Sequence, residues 1–205
     1  MSNEIFVKRM EPMLDEFHAI IDGTLRDDEA MHRWRATDVS YDVGASTIRP
    51  QLRGVPTGQG VHPVDRIFWM PDRPLLVELA SRTIEHRSRR FDGERVQPVA
   101  ADWKRQLRRR WSGMFDCQIK VGPGWADLIL AYVEQRTDAG DRFKFVRIEE
   151  KYGCLRFYVV GGDTPLEWIA DHLSTSICEV CGAPGKWRDQ GWIKTLCNEH
   201  VKEWS

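Results

Sequence analysis

Residues 178–200 read CEVCGAPGKWRDQGWIKTLCNEH, and this stretch decides how the rest of the chain is interpreted. Cys178 and Cys181 are separated by two residues, and Cys197 and His200 repeat that spacing. A C-x2-C turn presents two thiolates to one metal ion, and a second pair on a turn of helix completes a tetrahedron. Gly182 lets the backbone curl under the metal. The stretch therefore predicts a treble-clef-like zinc finger over residues 178–205 with one structural Zn²⁺.

The composition of the chain is that of an ordinary globular protein. Among its 205 residues, 30% are charged and 41% are hydrophobic, and the net charge is −1, so no polyelectrolyte partner is implied for the chain as a whole. The first residues lack an apolar run behind a basic start, and no apolar run is long enough to span a bilayer. Four of the five cysteines belong to the metal pattern. We expect a cytoplasmic protein without membrane association, in a reducing compartment.

The first helix is predicted from apolar residues that recur at helical spacing between Pro12 and Ile21. Pro12 suits the first helical position, and Gly23 is expected to end the helix. Thr24 is predicted to cap a second, short helix that carries Trp34.

A long loop is predicted over residues 44–63, which are rich in glycine and proline and show no period. His62 within it is interpreted as a solvated side chain. Residues 64–70 are apolar and aromatic enough for a strand. Residues 1–105 are thus predicted to be a mainly helical region interrupted by this loop.

Two basic helices are predicted between residues 72 and 111. Asp72 caps the first, and the second, from Asp102 to Trp111, places Trp103 and Leu107 on one side. Their arginines are expected to point outward: Arg82, Arg87, Arg89, Arg90, Arg105, Arg108, Arg109 and Arg110.

These arginines have two interpretations. Guanidinium groups bind phosphates or carboxylates in a bidentate manner, which favours a nucleic-acid or protein partner at Arg89, Arg90, Arg105, Arg108, Arg109 and Arg110. The alternative is a solvated helix face whose cations form ion pairs with the acidic N-terminal region of the same chain.

The second half of the chain predicts a helix-hairpin-helix unit over residues 106–177. Residues 125–133 carry the apolar spacing of an amphipathic helix, and residues 143–159 alternate as a hairpin that turns at Tyr152-Gly153. Thr164-Pro165 opens a helix that leads into the metal knuckle. The predicted class is α+β, with a mainly helical first half.

Three motifs occur in the order CQIKVGPGWADLI (117–129), RIEEKYGCLRFYV (147–159) and the finger sequence. Together they resemble a set of short phage- and prophage-associated bacterial proteins with a GW helix, an EK[FY]GxLRFY hairpin and a C-terminal CxxC…CxxH zinc finger. The resemblance covers about residues 106–201. It implies a fold unit and a phage or prophage setting, and it supplies no mechanism.

An enzyme is the weaker functional hypothesis. Four protein ligands leave no open position for a metal-bound water. Glu149-Glu150-Lys151 forms an E-x-K at the end of a predicted strand, which keeps a metal-dependent nuclease as a third alternative.

A binding protein is the favoured hypothesis, with a host protein as partner; inhibition of a host defence system is one form of it. The second alternative is nucleic-acid binding by the basic helices of residues 82–110. Four finger residues are candidates to assist that binding: Lys186, Trp187, Arg188 and Lys194.

Overall fold

The protein is described by a computed structural model over residues 3–36, 39–42, 44, 47–58, 72–162 and 164–204. Its helices are α1 (Asn3–Thr24), α2 (Glu29–Arg33), α3 (Arg73–Ser88), α4 (Trp103–Arg110), α5 (Ala126–Asp138), α6 (Pro165–Ser174) and α7 (His200–Trp204). Its strands are β1 (Val39–Asp42), β2 (Thr47–Pro50), β3 (Gln118–Lys120), β4 (Lys144–Lys151), β5 (Cys154–Val160), β6 (Lys186–Asp189) and β7 (Ile193–Leu196). This mixture agrees with the predicted α+β class. Over the described residues, none of the helices has the length and apolar character to cross a membrane.

Helix α1 begins earlier than the sequence predicts. Pro12 lies inside the helix instead of at its first position. A proline in a helix interior removes one backbone hydrogen bond. The helix continues because its inner face, with Met13, Phe17 and Ile20, is fully buried in the core.

The prediction that Thr24 caps α2 is wrong. Asp28, not Thr24, is the N-cap residue, and its carboxylate accepts from the Met31 N–H at 3.2 Å. The Thr24 hydroxyl instead donates to the Ile20 carbonyl at 2.8 Å within α1.

The predicted loop of residues 44–63 contains strand β2, which pairs antiparallel with β1. This strand forms because α3 supplies its partners: the Ile48 N–H donates to Ser88 Oγ at 3.1 Å, and Ser81 Oγ donates to the Pro50 carbonyl at 2.8 Å. The predicted strand at residues 64–70 and His62 lie outside the described residues.

Helix α3 is central to the structure. It packs against α1, α5, α6 and β2, and most of its circumference is buried. Leu75 is 37% exposed, whereas Leu76, Leu79 and Ile84 of the same helix are fully buried. Arg87, predicted on its outer basic face, is buried and pairs with Glu16 of α1. Because other elements cover the helix on several sides, its buried residues are not confined to one apolar face.

A three-stranded sheet has the order β3-β4-β5, with β3 parallel and β5 antiparallel to β4. Strand β3 was not predicted, since only Ile119 of its three residues is buried and no alternation is visible. The turn between β4 and β5 is Tyr152-Gly153, with φ of 54° and 73°. Two consecutive positive φ angles are those of the tight turn that matches strand twist.

One hydrophobic core extends across the boundary predicted at residue 105. It includes Phe17 and Leu79 from the N-terminal half and Leu128 and Ile169 from the C-terminal half. Residues 1–105 therefore share their core with the segment that follows.

Arg136 of α5 is the most buried cation of this core, with a side chain 1% exposed. It donates to Asp141 at 3.0 Å, to Glu167 at 2.6 Å and to the Gly162 carbonyl at 3.1 Å. The Tyr132 hydroxyl accepts from this guanidinium at 2.9 Å and donates to Glu167 at 2.6 Å. Arg136 thus joins α5 to the start of α6.

We expect Arg136→Met to lower the free energy of unfolding by about 3–5 kcal/mol, because it leaves the Glu167 carboxylate buried without its cation. The measurement is chemical denaturation. Arg109→Met is the matched control, since Arg109 is exposed and has no ion pair among the described residues. Equal unfolding midpoints for the two variants would contradict this assignment.

Candidate metal centre

The structure brings the four predicted ligands together. Their ligand atoms all lie within 4.8 Å of one another. Cys181 Sγ and Cys197 Sγ are 3.8 Å apart, and His200 Nδ1 lies 3.2 Å from Cys197 Sγ and 3.7 Å from Cys178 Sγ. A tetrahedral ion with bonds of about 2.3 Å to sulfur sets its sulfurs about 3.8 Å apart. Cys178, Cys181, Cys197 and His200 could therefore hold a metal ion.

Two local elements position these ligands. The knuckle of Cys178 and Cys181 follows α6, and it is closed by a hydrogen bond of 2.9 Å from the Gly182 N–H to the Cys178 carbonyl. Gly182 has a φ of 78°, a conformation that glycine adopts without strain. The β6–β7 hairpin then returns the chain, so that Cys197 follows β7 and His200 begins α7.

The electrostatics of the knuckle favour a thiolate at Cys178. A hydrogen bond from the Cys181 thiol, joined by the backbone N–H groups of Cys181, Cys197 and Val180, lowers the pKa of Cys178 to about 4. The same bond raises the pKa of Cys181, which keeps the shared proton. The thiolate is the form of cysteine that binds metals.

The knuckle is packed directly against the glycines of residues 122–124. The Gly124 N–H donates to the Glu179 carbonyl at 2.9 Å. A Cβ on Gly124 would lie 2.1 Å from the Cys178 carbonyl oxygen, and one on Gly122 would lie 2.2 Å from that of Glu179. Only glycine permits this approach of the two backbones. From the sequence, Gly122-Pro123-Gly124 predicts a turn, and nothing in it indicates the contact with the knuckle.

Two core side chains hold the knuckle from behind. The fully buried Trp125 donates from its indole Nε1 to the Ile177 carbonyl at 2.8 Å. Arg87 donates to the Cys181 carbonyl at 2.7 Å while it pairs with Glu16. The role of Arg87 was not predicted, because nothing near it in sequence identifies a partner in the finger.

The hairpin of the finger also contacts the sheet. Thr195 Oγ1 donates to the Gly153 carbonyl at 2.6 Å, and the Glu179 N–H donates to the Thr195 carbonyl at 2.9 Å. Lys194, predicted to assist nucleic-acid binding, forms an ion pair with Glu179. The charge of Lys194 is therefore neutralised by an acid of the finger itself.

Three of the six candidate arginines, Arg89, Arg90 and Arg110, line one cavity of about 250 Å³ between α3, α4 and α5. Each of them pairs with an acid of the same chain. The partners are Glu85 at 3.5 Å for Arg89, Asp127 for Arg90 and Glu134 at 2.8 Å for Arg110.

The other three candidates lie along α4. Arg105 pairs with Asp102 at 2.6 Å, and Arg108 donates to the carbonyls of Phe115 at 3.3 Å and Cys117 at 3.0 Å. Arg109 is exposed and has no such partner among the described residues. Intramolecular partners thus occupy most of the predicted basic surface, but the acids are Glu85, Asp102, Asp127 and Glu134 and not those of the N-terminal region that the alternative interpretation named.

Glu149 and Lys151 of the E-x-K pattern lie on β4. Glu149 pairs with Arg147 at 3.1 Å, and Glu150 accepts from the Gly153 N–H at 2.8 Å. In the part of the chain that the structure describes, the cysteine-histidine group is the only cluster of potential metal ligands. Neither Glu149 nor Glu150 thus belongs to a group of three or more potential metal ligands among the described residues.

Comparisons of the chain with protein-family models, with curated proteins and with solved structures found no match. The resemblance over residues 106–201 therefore stays a prediction, and the functional argument depends on the geometry described above.

We expect Gly124→Ala to weaken metal binding roughly tenfold or more, which is about 1.4 kcal/mol, because the added methyl collides with the knuckle backbone. Metal affinity is measured by competition with a chelator. Gly113→Ala is the control: a Cβ there meets nothing within 4 Å, and its φ of 81° makes it a test of backbone strain alone. Equal metal affinities for the two variants would show that the close approach does not position the knuckle.

Proposed function

We propose that the protein is a non-catalytic binding protein whose C-terminal treble-clef-like finger is held by one structural Zn²⁺. The observation that carries this proposal is the completeness of the ligand cluster. Three thiolates and one imidazole form a soft ligand set that suits Zn²⁺ over Mg²⁺ or Ca²⁺. With four protein ligands, the ion keeps no position for a water or a substrate.

A nuclease has less support from the geometry. Glu149 forms an ion pair with Arg147. Metal-dependent hydrolysis of phosphodiesters needs carboxylates that converge on a metal, and Glu149 belongs to no such cluster among the described residues.

We expect the purified protein to contain one zinc ion per chain and Cys178→Ser to lose most of it. Structural zinc contributes about 10–16 kcal/mol of apparent binding free energy, so a chelator should unfold the finger. Elemental analysis and thermal melting are the measurements. Cys154→Ser is the control, because Cys154 lies outside the cluster and burial raises the pKa of its thiol to about 12. Iron in place of zinc, or full zinc content in Cys178→Ser, would contradict the ligand assignment.

The partner that we propose is a host protein, in the phage or prophage setting that the resemblance implies, with inhibition of a defence component as one form of the activity. A groove of about 650 Å³ supports a protein contact. It runs along five consecutive residues of β5, 155–159, and one face of α6 with Thr164, Glu167, Trp168 and Asp171. Trp168 is 51% exposed beside it. Large aromatic side chains are enriched at protein interfaces and contribute much of their affinity.

The charges around this groove favour a protein over a polyanion. Arg156 pairs with Asp171, and Glu167 is held by Arg136 at 2.6 Å. These two ion pairs are formed within the chain, and Lys151, whose Nζ lies 5.6 Å from the centroid of the Tyr152 ring, is the lining cation without an ion pair among the described residues.

We expect Trp168→Ala to weaken the complex with a host protein by about 2 kcal/mol or more, roughly 30-fold. The experiment identifies the protein retained from host lysate and then titrates the purified pair by calorimetry. Trp192→Ala is the control, because Trp192 is equally prominent at 64% exposure but does not line the groove. If the Arg105/Arg109→Ala variant lost affinity and Trp168→Ala did not, the contact would lie on α4.

A further inference from the structure

A second groove, of about 600 Å³, lies between the end of α1, the end of α6 and the finger. Among the described residues, no carboxylate lines it and three cations do, and Cys197 of the ligand cluster also lines it. The cations are Arg26, Lys186 and Arg188. The remaining polar lining includes the hydroxyl residues Thr175 and Ser176 and the amide of Asn198.

The cations of this groove are available to a ligand, unlike those of α3 and α4. Arg26 and Lys186 are exposed and form no ion pair among the described residues. Arg188 uses one nitrogen, which donates to Asn198 Oδ1 at 2.7 Å, while its buried Nε finds no partner within the described part of the chain. An acid-free groove with three cations attracts anions even though the whole chain is slightly acidic.

The acids nearest in sequence do not neutralise the groove. Asp22 pairs with Arg35 at 3.0 Å, and Glu199 pairs with Lys202 at 3.3 Å. Asp189 accepts from the Gly191 N–H at 3.1 Å. None of these carboxylates lines the groove, and neither does Asp27, the neighbour of Arg26.

An aromatic surface accompanies these cations. Trp187 lies between Lys186 and Arg188 on β6, lines the groove and is 45% exposed. An exposed indole stacks on an unpaired nucleobase, while the cations beside it bind the phosphates that flank that base. A duplex offers the phosphates but not the open base face, and an acidic peptide offers carboxylates without any base.

We infer that this groove binds single-stranded nucleic acid, with phosphates on Arg26, Lys186 and Arg188 and one base stacked on Trp187. The site is separate from the β5–α6 groove and does not depend on a protein partner. It also differs from the basic helices of residues 82–110, whose arginines are largely paired inside the chain.

The test uses a labelled oligothymidylate of about 15 nucleotides, which covers the usual site of a small domain, and measures fluorescence anisotropy. The zinc-loaded full chain should bind it, with log affinity falling against log salt at a slope of about −2, since each of three phosphate contacts contributes about −0.7. Trp187→Ala should weaken binding by about 5- to 150-fold, which corresponds to the loss of one stacked base. The Lys186/Arg188→Ala variant should lower both the affinity and the salt slope.

Two controls separate this site from the other surfaces. The Arg105/Arg109→Ala variant removes the same charge from α4, and Trp168→Ala removes an exposed indole from the β5–α6 groove; both should keep the affinity for the oligonucleotide within about twofold. Zinc content and melting temperature verify that each variant is folded. A loss of protein binding in Trp168→Ala alone would concern only the proposed protein partner.

Four results would overturn the inference. They are no binding of the oligonucleotide at low salt, equal affinity for a duplex of the same length, equal affinity for polyglutamate, and an affinity in Trp187→Ala equal to that of the unaltered protein. Equal affinity for polyglutamate would assign the groove to acidic proteins, and equal affinity for a duplex would assign it to phosphate binding without base stacking.

Discussion

The close approach of the backbone at residues 122–124 to the backbone at residues 178–182 is the constraint on which the metal centre depends. Glycines at both segments allow it, and the carbonyl groups on the outside of the knuckle accept hydrogen bonds from Gly124, Trp125 and Arg87. Buried carbonyls need such donors. The core therefore satisfies the outer side of the knuckle, while its inner side presents the thiolates. The finger is therefore docked on the core through its backbone carbonyls.

Arg87 extends this constraint to the N-terminal half of the chain. One guanidinium joins α3, where it is located, to Glu16 of α1 and to the Cys181 carbonyl of the finger. Removing a buried charge leaves its partner uncompensated, so the three elements depend on one another energetically. This dependence agrees with the single core that crosses residue 105. Residues 1–105 thus support the finger through Arg87.

Features encoded within a few residues were predictable, and features created by distant partners were not. The clustering of Cys178, Cys181, Cys197 and His200 follows from their spacing, and the N-caps Asp72 and Thr164 follow from their own turns. Strand β2 was not predicted because its backbone is bound by Ser81 and Ser88 of α3. Strand β3 was not predicted because it depends on pairing with β4. The helix across Pro12 likewise depends on burial of the face beyond it. In each case tertiary packing outweighs the local pattern.

The availability of cations for binding also depends on distant parts of the chain and not on the local sequence. The run at residues 105–110 is conspicuous in sequence, but acids and carbonyls of the same chain occupy most of its donors. Arg26 and Lys186 are far apart in sequence and isolated there, yet they line one groove without an acid. The β6–β7 hairpin is too small for a core of its own, so the ligand cluster and the docked knuckle must fix the position of Lys186 and Arg188. Under the inference that this groove binds single-stranded nucleic acid, a metal ion held by the cluster would contribute without contacting the nucleic acid, because it would hold Lys186 and Arg188 of the finger opposite Arg26.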